Sequence, residues 1–242
     1  MIEHEHPTKN LLLISCSTTY GHGYLDHVEG DIRDLLKGVQ RIAFFPFALY
    51  DRDAYAAKAE ERFRRMGITL ESAHTSPMPS RLIESAQAIF IGGGNTFRLL
   101  KVLQDFDLLD IIRSRVESGC PFIGSSAGSI VACPTLKTTK DMPVVQPRSF
   151  DALHLVSFQI SPHYLDPDPC STHMGETQEE RIGQYLEENE FPVVGLRESS
   201  ALRVSSGTVL LHGAASARIF RRGMKPVEVQ PGTDLTANAV TL

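Results

Sequence analysis

A chain of 242 residues, 42% apolar and 22% charged, has the composition of a soluble globular protein and is long enough for one α/β domain with a large core. Its net charge of −5 and the lack of any basic block argue against a nucleic-acid surface, while leaving a small cationic or zwitterionic ligand open. The polar start from Met1 to Pro7 carries no signal-peptide core, no apolar run reaches the roughly 18 residues of a membrane span, and Cys16, Cys120, Cys133 and Cys170 lack C-x-x-C spacing, which together predict a cytosolic protein with neither a disulfide framework nor a zinc site.

In chain order, the first predicted element is the apolar run Leu11-Leu12-Leu13-Ile14-Ser15, which reads as a buried parallel strand. The same pattern recurs at Arg41 to Phe45, Ala88 to Ile91, Pro121 to Ile123 and Val193 to Leu196. Helical stretches fall between, at Tyr55 to Met66, Thr96 to Gln104, Leu108 to Ser118 and Glu176 to Glu188. Asn95 or Thr96 can cap the second of these, and Gly119 ends the third. Such alternation predicts a three-layer α/β fold with a mostly parallel central sheet covered on both faces. After Ser200 the pattern changes to short runs at Ala201 to Val204, Thr208 to Leu211 and Ala217 to Phe220, separated by Gly and Ser. These predict an antiparallel extension appended to the sheet within a single domain spanning residues 1–242.

In parallel sheets, ligands gather at the carboxyl ends of the strands, and two glycine-rich turns fall there. Gly124-Ser125-Ser126-Ala127-Gly128 fits the nucleophile elbow G-x-S-x-G, whose central serine needs a strained backbone and small neighbours, and this places the nucleophile at Ser126. Gly92-Gly93-Gly94-Asn95 supplies unshielded backbone N–H groups, so Gly93, Gly94 and the N–H of Ala127 are the candidate oxyanion donors. A serine needs a base to become a nucleophile. His163, after Phe158-Gln159-Ile160-Ser161-Pro162, emerges at a strand end, and His212 is its rival late in the chain. His4, His6, His22, His27, His74, His154 and His173 sit in loops, on solvated faces or in the terminus. The acid that orients the base is either Asp141 or Glu198, and spacing does not separate them.

Taken together these segments resemble the peptidase E, or α-aspartyl dipeptidase, family. The resemblance is carried by Phe45-Pro46-Phe47-Ala48, Gly92-Gly93-Gly94-Asn95-Thr96-Phe97, Ser126-Ala127-Gly128, Ala132-Cys133-Pro134-Thr135, Asp141-Met142-Pro143, Phe150-Asp151-Ala152-Leu153, Pro162-His163 and Gly175-Glu176-Thr177. It implies a fold similar to flavodoxin and the class I glutamine amidotransferases, and metal-free, cofactor-free hydrolysis of dipeptides that begin with aspartate. Ser126 then matches the nucleophile and His163 the base, while Asp141 and Glu198 each match an acid of the charge relay. Glu198 follows a core strand and is better held, which favours it as the His163 partner with Asp141 in support. A cyanophycinase-like β-aspartyl peptidase and an inactive binding module on the same scaffold are the competing readings. The sequence departs from relatives at Gln178, where arginine can stand, and at Ser199-Ser200. Arg181, early in the helix after the His163 loop, is the expected grip for the substrate carboxylate, with Gln178 adding an amide donor. The expected partner is a small dipeptide, with no nucleic acid or membrane, and the chain as a monomer or homodimer.

Overall fold

The computed structural model describes residues 8–172, 174–238 and 240; the Met1 to Pro7 stretch, with His4 and His6, and also His173 lie outside them. The strands and helices run β1 (Leu11–Ile14), α1 (Glu29–Leu35), β2 (Arg41–Phe45), α2 (Arg52–Arg65), β3 (Thr69–Ser72), α3 (Pro79–Ser85), β4 (Ala88–Ile91), α4 (Thr96–Asp105), α5 (Leu109–Glu117), β5 (Phe122–Ser125), α6 (Ala127–Val131), β6 (Gln159–Pro162), α7 (Gln178–Glu188), β7 (Val193–Leu196), β8 (Ser200–Ser205), β9 (Thr208–Gly213), β10 (Ala217–Phe220) and β11 (Val227–Val229). No helix among the described residues is long and apolar enough to cross a membrane.

A seven-stranded sheet in the order β3-β2-β4-β5-β1-β8-β9 forms the centre, parallel from β3 to β1 and antiparallel across β8 and β9. The reason β1 is apolar at every position is that its two faces pack into two cores. Leu11 and Leu13 join a cluster with Leu99 and Leu103 of α4, Ile112 and Val116 of α5 and Val131 of α6. Leu12 and Ile14 join the opposite cluster, with Ile32 of α1 and Ala59 and Phe63 of α2. Strand periodicity of two therefore produces the three layers directly.

The chain after β5 departs from a single sheet. β6 and β7 pair in parallel with each other, and β10 and β11 add to them antiparallel, giving a second, four-stranded sheet in the order β11-β10-β7-β6. The expected C-terminal meander is thus divided: β8 and β9 extend the central sheet, while β10 crosses to pair with β7. Val194, Leu196 and Ile219 of this second sheet join the first cluster, and Val193 and Phe220 on its other face pack against Ile182 and Leu186 of α7. α1, α3, α6 and β3 were not legible in the sequence, because each spans only four to seven residues and periodicity needs a longer window.

One buried hydroxyl joins the two sheets where the site forms. Ser15, immediately after β1, donates from Oγ to the Leu196 carbonyl at 2.7 Å and accepts from the His163 N–H at 2.9 Å. It thereby ties the ends of β6 and β7 to the end of β1.

Candidate active site

Ser126 is placed by the turn from β5 into α6. Its φ of 52° and ψ of −109° lie where a side chain is strained, at an order of 1–3 kcal/mol. The turn holds because its neighbours are small: a Cβ on Gly128 would meet the Ile91 carbonyl oxygen at 2.0 Å, and one on Gly124 the Gly128 carbonyl oxygen at 2.6 Å. A backbone bond from Ser126 N–H to Ile14 O at 2.9 Å, and side-chain bonds from Ser129 Oγ to Ile14 O and Gly124 O, anchor it to the sheet. Ser126 stands at the N-cap of α6, where a serine ordinarily bonds the first free N–H groups. Here it makes no such bond, and Oγ faces His163 Nε2 at 3.0 Å.

His163 follows β6, also with positive φ (51°), so the ring turns back over the strand ends. Its Nδ1 lies 2.9 Å from Glu198 Oε1, just beyond β7. The adjacent Arg197 fixes that end: it grips Asp166 with two nitrogens at 2.8 and 2.9 Å and reaches Glu228 at 2.6 Å. The His163 and Glu198 side chains remain 41% and 51% exposed, so the hydrogen-bonded chain opens to a bound molecule.

Asp141 is not part of that chain. Its Oδ2 accepts from the Thr96 N–H at 2.7 Å, from Thr96 Oγ1 at 2.6 Å and from Thr139 Oγ1 at 3.1 Å, at the start of α4. His212 lies elsewhere, with Nδ1 2.7 Å from Asp31 of α1.

A cleft of about 760 Å³ opens over Ser126 and His163, lined also by Gly93, Gly94, Asp141 and Tyr55. Gly93 abuts Ser126, since a Cβ there would stand 3.1 Å from that of Ser126. Its N–H donates to the Tyr55 hydroxyl at 2.8 Å, and that of Gly92 to Phe45 O. Tyr55 is a contributor that sequence reasoning missed, for it reads as one more apolar residue of α2. Burial raises its phenol, with the Gly93 hydrogen bond opposing, so it keeps its proton.

The two expected readers of substrate are not brought into this cleft. Arg181 lines a separate cavity of about 90 Å³ and faces Glu176 at 3.6 Å, as a solvated helix arginine does. Gln178 braces the His163 loop instead: Oε1 accepts from the Leu165 N–H and Lys140 Nζ, and Nε2 donates to His163 O, each at 3.2 Å. The helix start turns Gln178 toward the His163 loop and Arg181 toward Glu176, directions that spacing alone could not give. Among the described residues, the lysine or arginine that lines the cleft is Lys58, with Nζ 4.7 Å over the Tyr24 ring.

Lys140 donates to Pro162 O at 2.7 Å and to His163 O at 3.0 Å. Burial pulls its ammonium down to about 8, aided by Arg181 and opposed by Asp141 and Glu198. This folded value lies below the ordinary 10.5, so the cost of holding the partly desolvated charge, on a side chain that keeps solvent contact, is present in full below pH 8 and disappears as pH rises toward 10.5. Stability attributable to this group rises with pH across that window, while its hold on His163 weakens. Activity is therefore expected to fall as pH passes about 8 in the native protein, and Lys140→Met should lack that limb and lose up to about a hundredfold in kcat from misplacement of the His163 ring. A limb unchanged in the variant would belong to another group.

The sequence matches Peptidase family S51 over residues 11–212. A Streptomyces coelicolor protein named Peptidase E is 48% identical over 227 residues, covering 94% of this chain and 93% of the relative. A Drosophila melanogaster protein named Probable alpha-aspartyl dipeptidase is 45% identical over 231 residues, covering 94% and 96%. Among solved structures, a peptidase from an acI-B1 Actinobacterium superposes with a TM-score of 0.70 at 16% identity, covering 95% of this chain and 97% of its own. A putative Peptidase E protein from Listeria monocytogenes EGD-e gives 0.66 at 21%, covering 86% and 100%. At these identities the structures speak for the fold.

Proposed function

From the premise that this chain belongs to peptidase family S51 and is a serine-type dipeptidase, we propose that it cleaves dipeptides bearing an N-terminal aspartate, with Ser126 as nucleophile, His163 as base and Glu198 as the acid that orients it. The observation that carries the reading is the unbroken run of contacts from Ser126 Oγ to His163 Nε2 at 3.0 Å and from His163 Nδ1 to Glu198 Oε1 at 2.9 Å. In the working tautomer Nδ1–H donates to Glu198, and Nε2 is the acceptor for the Ser126 proton.

Attack of Oγ on the scissile carbonyl carbon forms a tetrahedral oxyanion as the proton passes to Nε2. The N–H groups of Gly94 and Ala127 carry that charge, while the Gly93 N–H, expected from the sequence to join them, is held by the Tyr55 hydroxyl at 2.8 Å. Collapse breaks the C–N bond, and His163 returns the proton to the leaving amine, leaving an aspartyl ester on Ser126. Water, deprotonated by the same nitrogen, then cleaves the ester and regenerates the serine. The four unbridged cysteines favour a reducing compartment such as the cytosol for this reaction.

A substrate with an N-terminal aspartate brings one ammonium and one side-chain carboxylate. Asp51 and Asp141 line the cleft for the first and Lys58 for the second. Lys58→Met is expected to lower kcat/KM for Asp-Leu by about a hundredfold, the worth of a charged hydrogen bond of about 3 kcal/mol. It should leave Ala-Leu, which lacks the carboxylate, unaffected, and Arg181→Met should change neither. The function itself is tested by turnover of Asp-Leu, Glu-Leu, Ala-Leu and β-linked Asp-Leu. Preference for the β-linked peptide, or no turnover of any, would overturn the proposal.

A further inference from the structure

The end of β1 brings one more metal-binding group to the site than hydrolysis uses. Cys16, two residues beyond Ile14, is 2% exposed and lines the cleft. One ligand atom from each of Cys16, His163 and Glu198 lies within 4.8 Å of the other two. Thiol, imidazole and carboxylate together form the donor set of a zinc-class ion. Bonds of about 2.0 to 2.3 Å in a tetrahedron set ligand atoms roughly 3.3 to 3.8 Å apart, so this cluster closes on an ion by movements of about one ångström. Burial raises the Cys16 thiol, with Glu198 adding to the effect, which leaves it a poor nucleophile in the free protein. His27 lies against the Cys16 backbone with its ring nitrogens enclosed, and burial, then His22, keeps it neutral.

We propose that Cys16, His163 and Glu198 form an inhibitory site for a zinc-class divalent cation. The Cys16 thiol releases one proton to solvent and its sulfur binds as thiolate. His163 gives up its bond to Glu198, carries its proton on Nε2 and offers the Nδ1 lone pair. One Glu198 oxygen supplies the third bond and water the fourth, and no oxidation state changes. With Nε2 protonated, the ring has no lone pair to accept the Ser126 proton, so the nucleophile is silenced without being touched. The binding stands on the cluster alone; the inhibition rests on His163 being the base.

The experiment uses the full chain without a histidine tag. Cobalt(II) is titrated into the native protein, Cys16→Ser, Cys16→Ala and Cys170→Ser, with the near-ultraviolet thiolate-to-cobalt charge-transfer band as readout; Cys170 is the exposed thiol among the described residues. One saturable equivalent is expected in the native protein and in Cys170→Ser, and none in either Cys16 variant. In parallel, zinc(II) is titrated against Asp-Leu hydrolysis, each variant normalised to its own metal-free rate. The half-inhibiting concentration should rise about a hundredfold in the Cys16 variants, and a chelator should restore the native rate. No band in the native protein, a band that follows Cys170, or zinc inhibition unaltered by loss of Cys16 would each overturn the site. A band lost with Cys16 alongside unimpaired hydrolysis supports the site and removes His163 from the role of base.

Discussion

Ser126→Ala is expected to abolish turnover of an aspartyl dipeptide, lowering kcat by roughly a millionfold, as loss of a serine nucleophile does elsewhere. The size of the effect follows from geometry. Of the two serines in the elbow, Ser126 is the one that projects its hydroxyl into the cleft, where its Oγ lies 3.0 Å from His163 Nε2. Ser125, one residue earlier, closes β5 with its hydroxyl fully buried and without a partner among the described residues. Ser125→Ala removes an unsatisfied polar atom and should keep activity while leaving stability unchanged or about 1 kcal/mol higher. Single-turnover assays and thermal melts on the two variants decide the point. An inactive Ser125→Ala beside an active Ser126→Ala would mean that the elbow is centred one residue earlier. Ser126→Gly should be as inactive as Ser126→Ala and more stable, because glycine relieves the φ of 52° at about 1 kcal/mol or more.

Glu198→Gln should cost roughly 10⁴-fold in kcat with little change in KM. A glutamine amide cannot offset the positive charge that His163 acquires, and if its NH₂ faces Nδ1 it selects the ring tautomer that has no lone pair for Ser126. Asp141→Asn is expected to behave differently. It replaces a carboxylate that takes three hydrogen bonds at the start of α4, where the helix dipole favours negative charge. Stability should fall by about 1 to 2 kcal/mol, and KM should rise while kcat stays within about tenfold. The two variants therefore separate an acid that acts through the base from one that supports the cleft. A large kcat loss in Asp141→Asn with Glu198→Gln nearly normal would reverse the assignment.

The clasp at Ser15 accounts for why such a relay can be assembled from separate sheets. Ser126 belongs to the central sheet, whereas His163 and Glu198 end strands of the second one. A buried hydroxyl that bonds both Leu196 O and the His163 N–H fixes their separation, and Arg197 secures the β7 end against Asp166 and Glu228. Neither residue carries a sequence signal of its own, beyond a small polar residue ending an apolar strand.

What the sequence determined by itself is what local chemistry controls. Continuous apolar runs force buried parallel strands, because each face must meet a core. The small residues around Ser126 permit a backbone that larger ones would block, and so the serine elbow and the fold class were legible from the chain. The choice between Asp141 and Glu198 was open in the spacing, since both follow element ends; in the fold it is Glu198, at the β7 end, that lies against the imidazole, and this is the observation on which the proposed assignment rests. The crossing of β10 to a second sheet, the turning of Arg181 away from the cleft, the entry of Lys58 and Tyr55 from α2, and the meeting of Cys16 with His163 and Glu198 required the tertiary structure. Each depends on side chains far apart in sequence converging at strand ends, and such convergence is set by how sheets and helices pack, which leaves no local pattern in the chain.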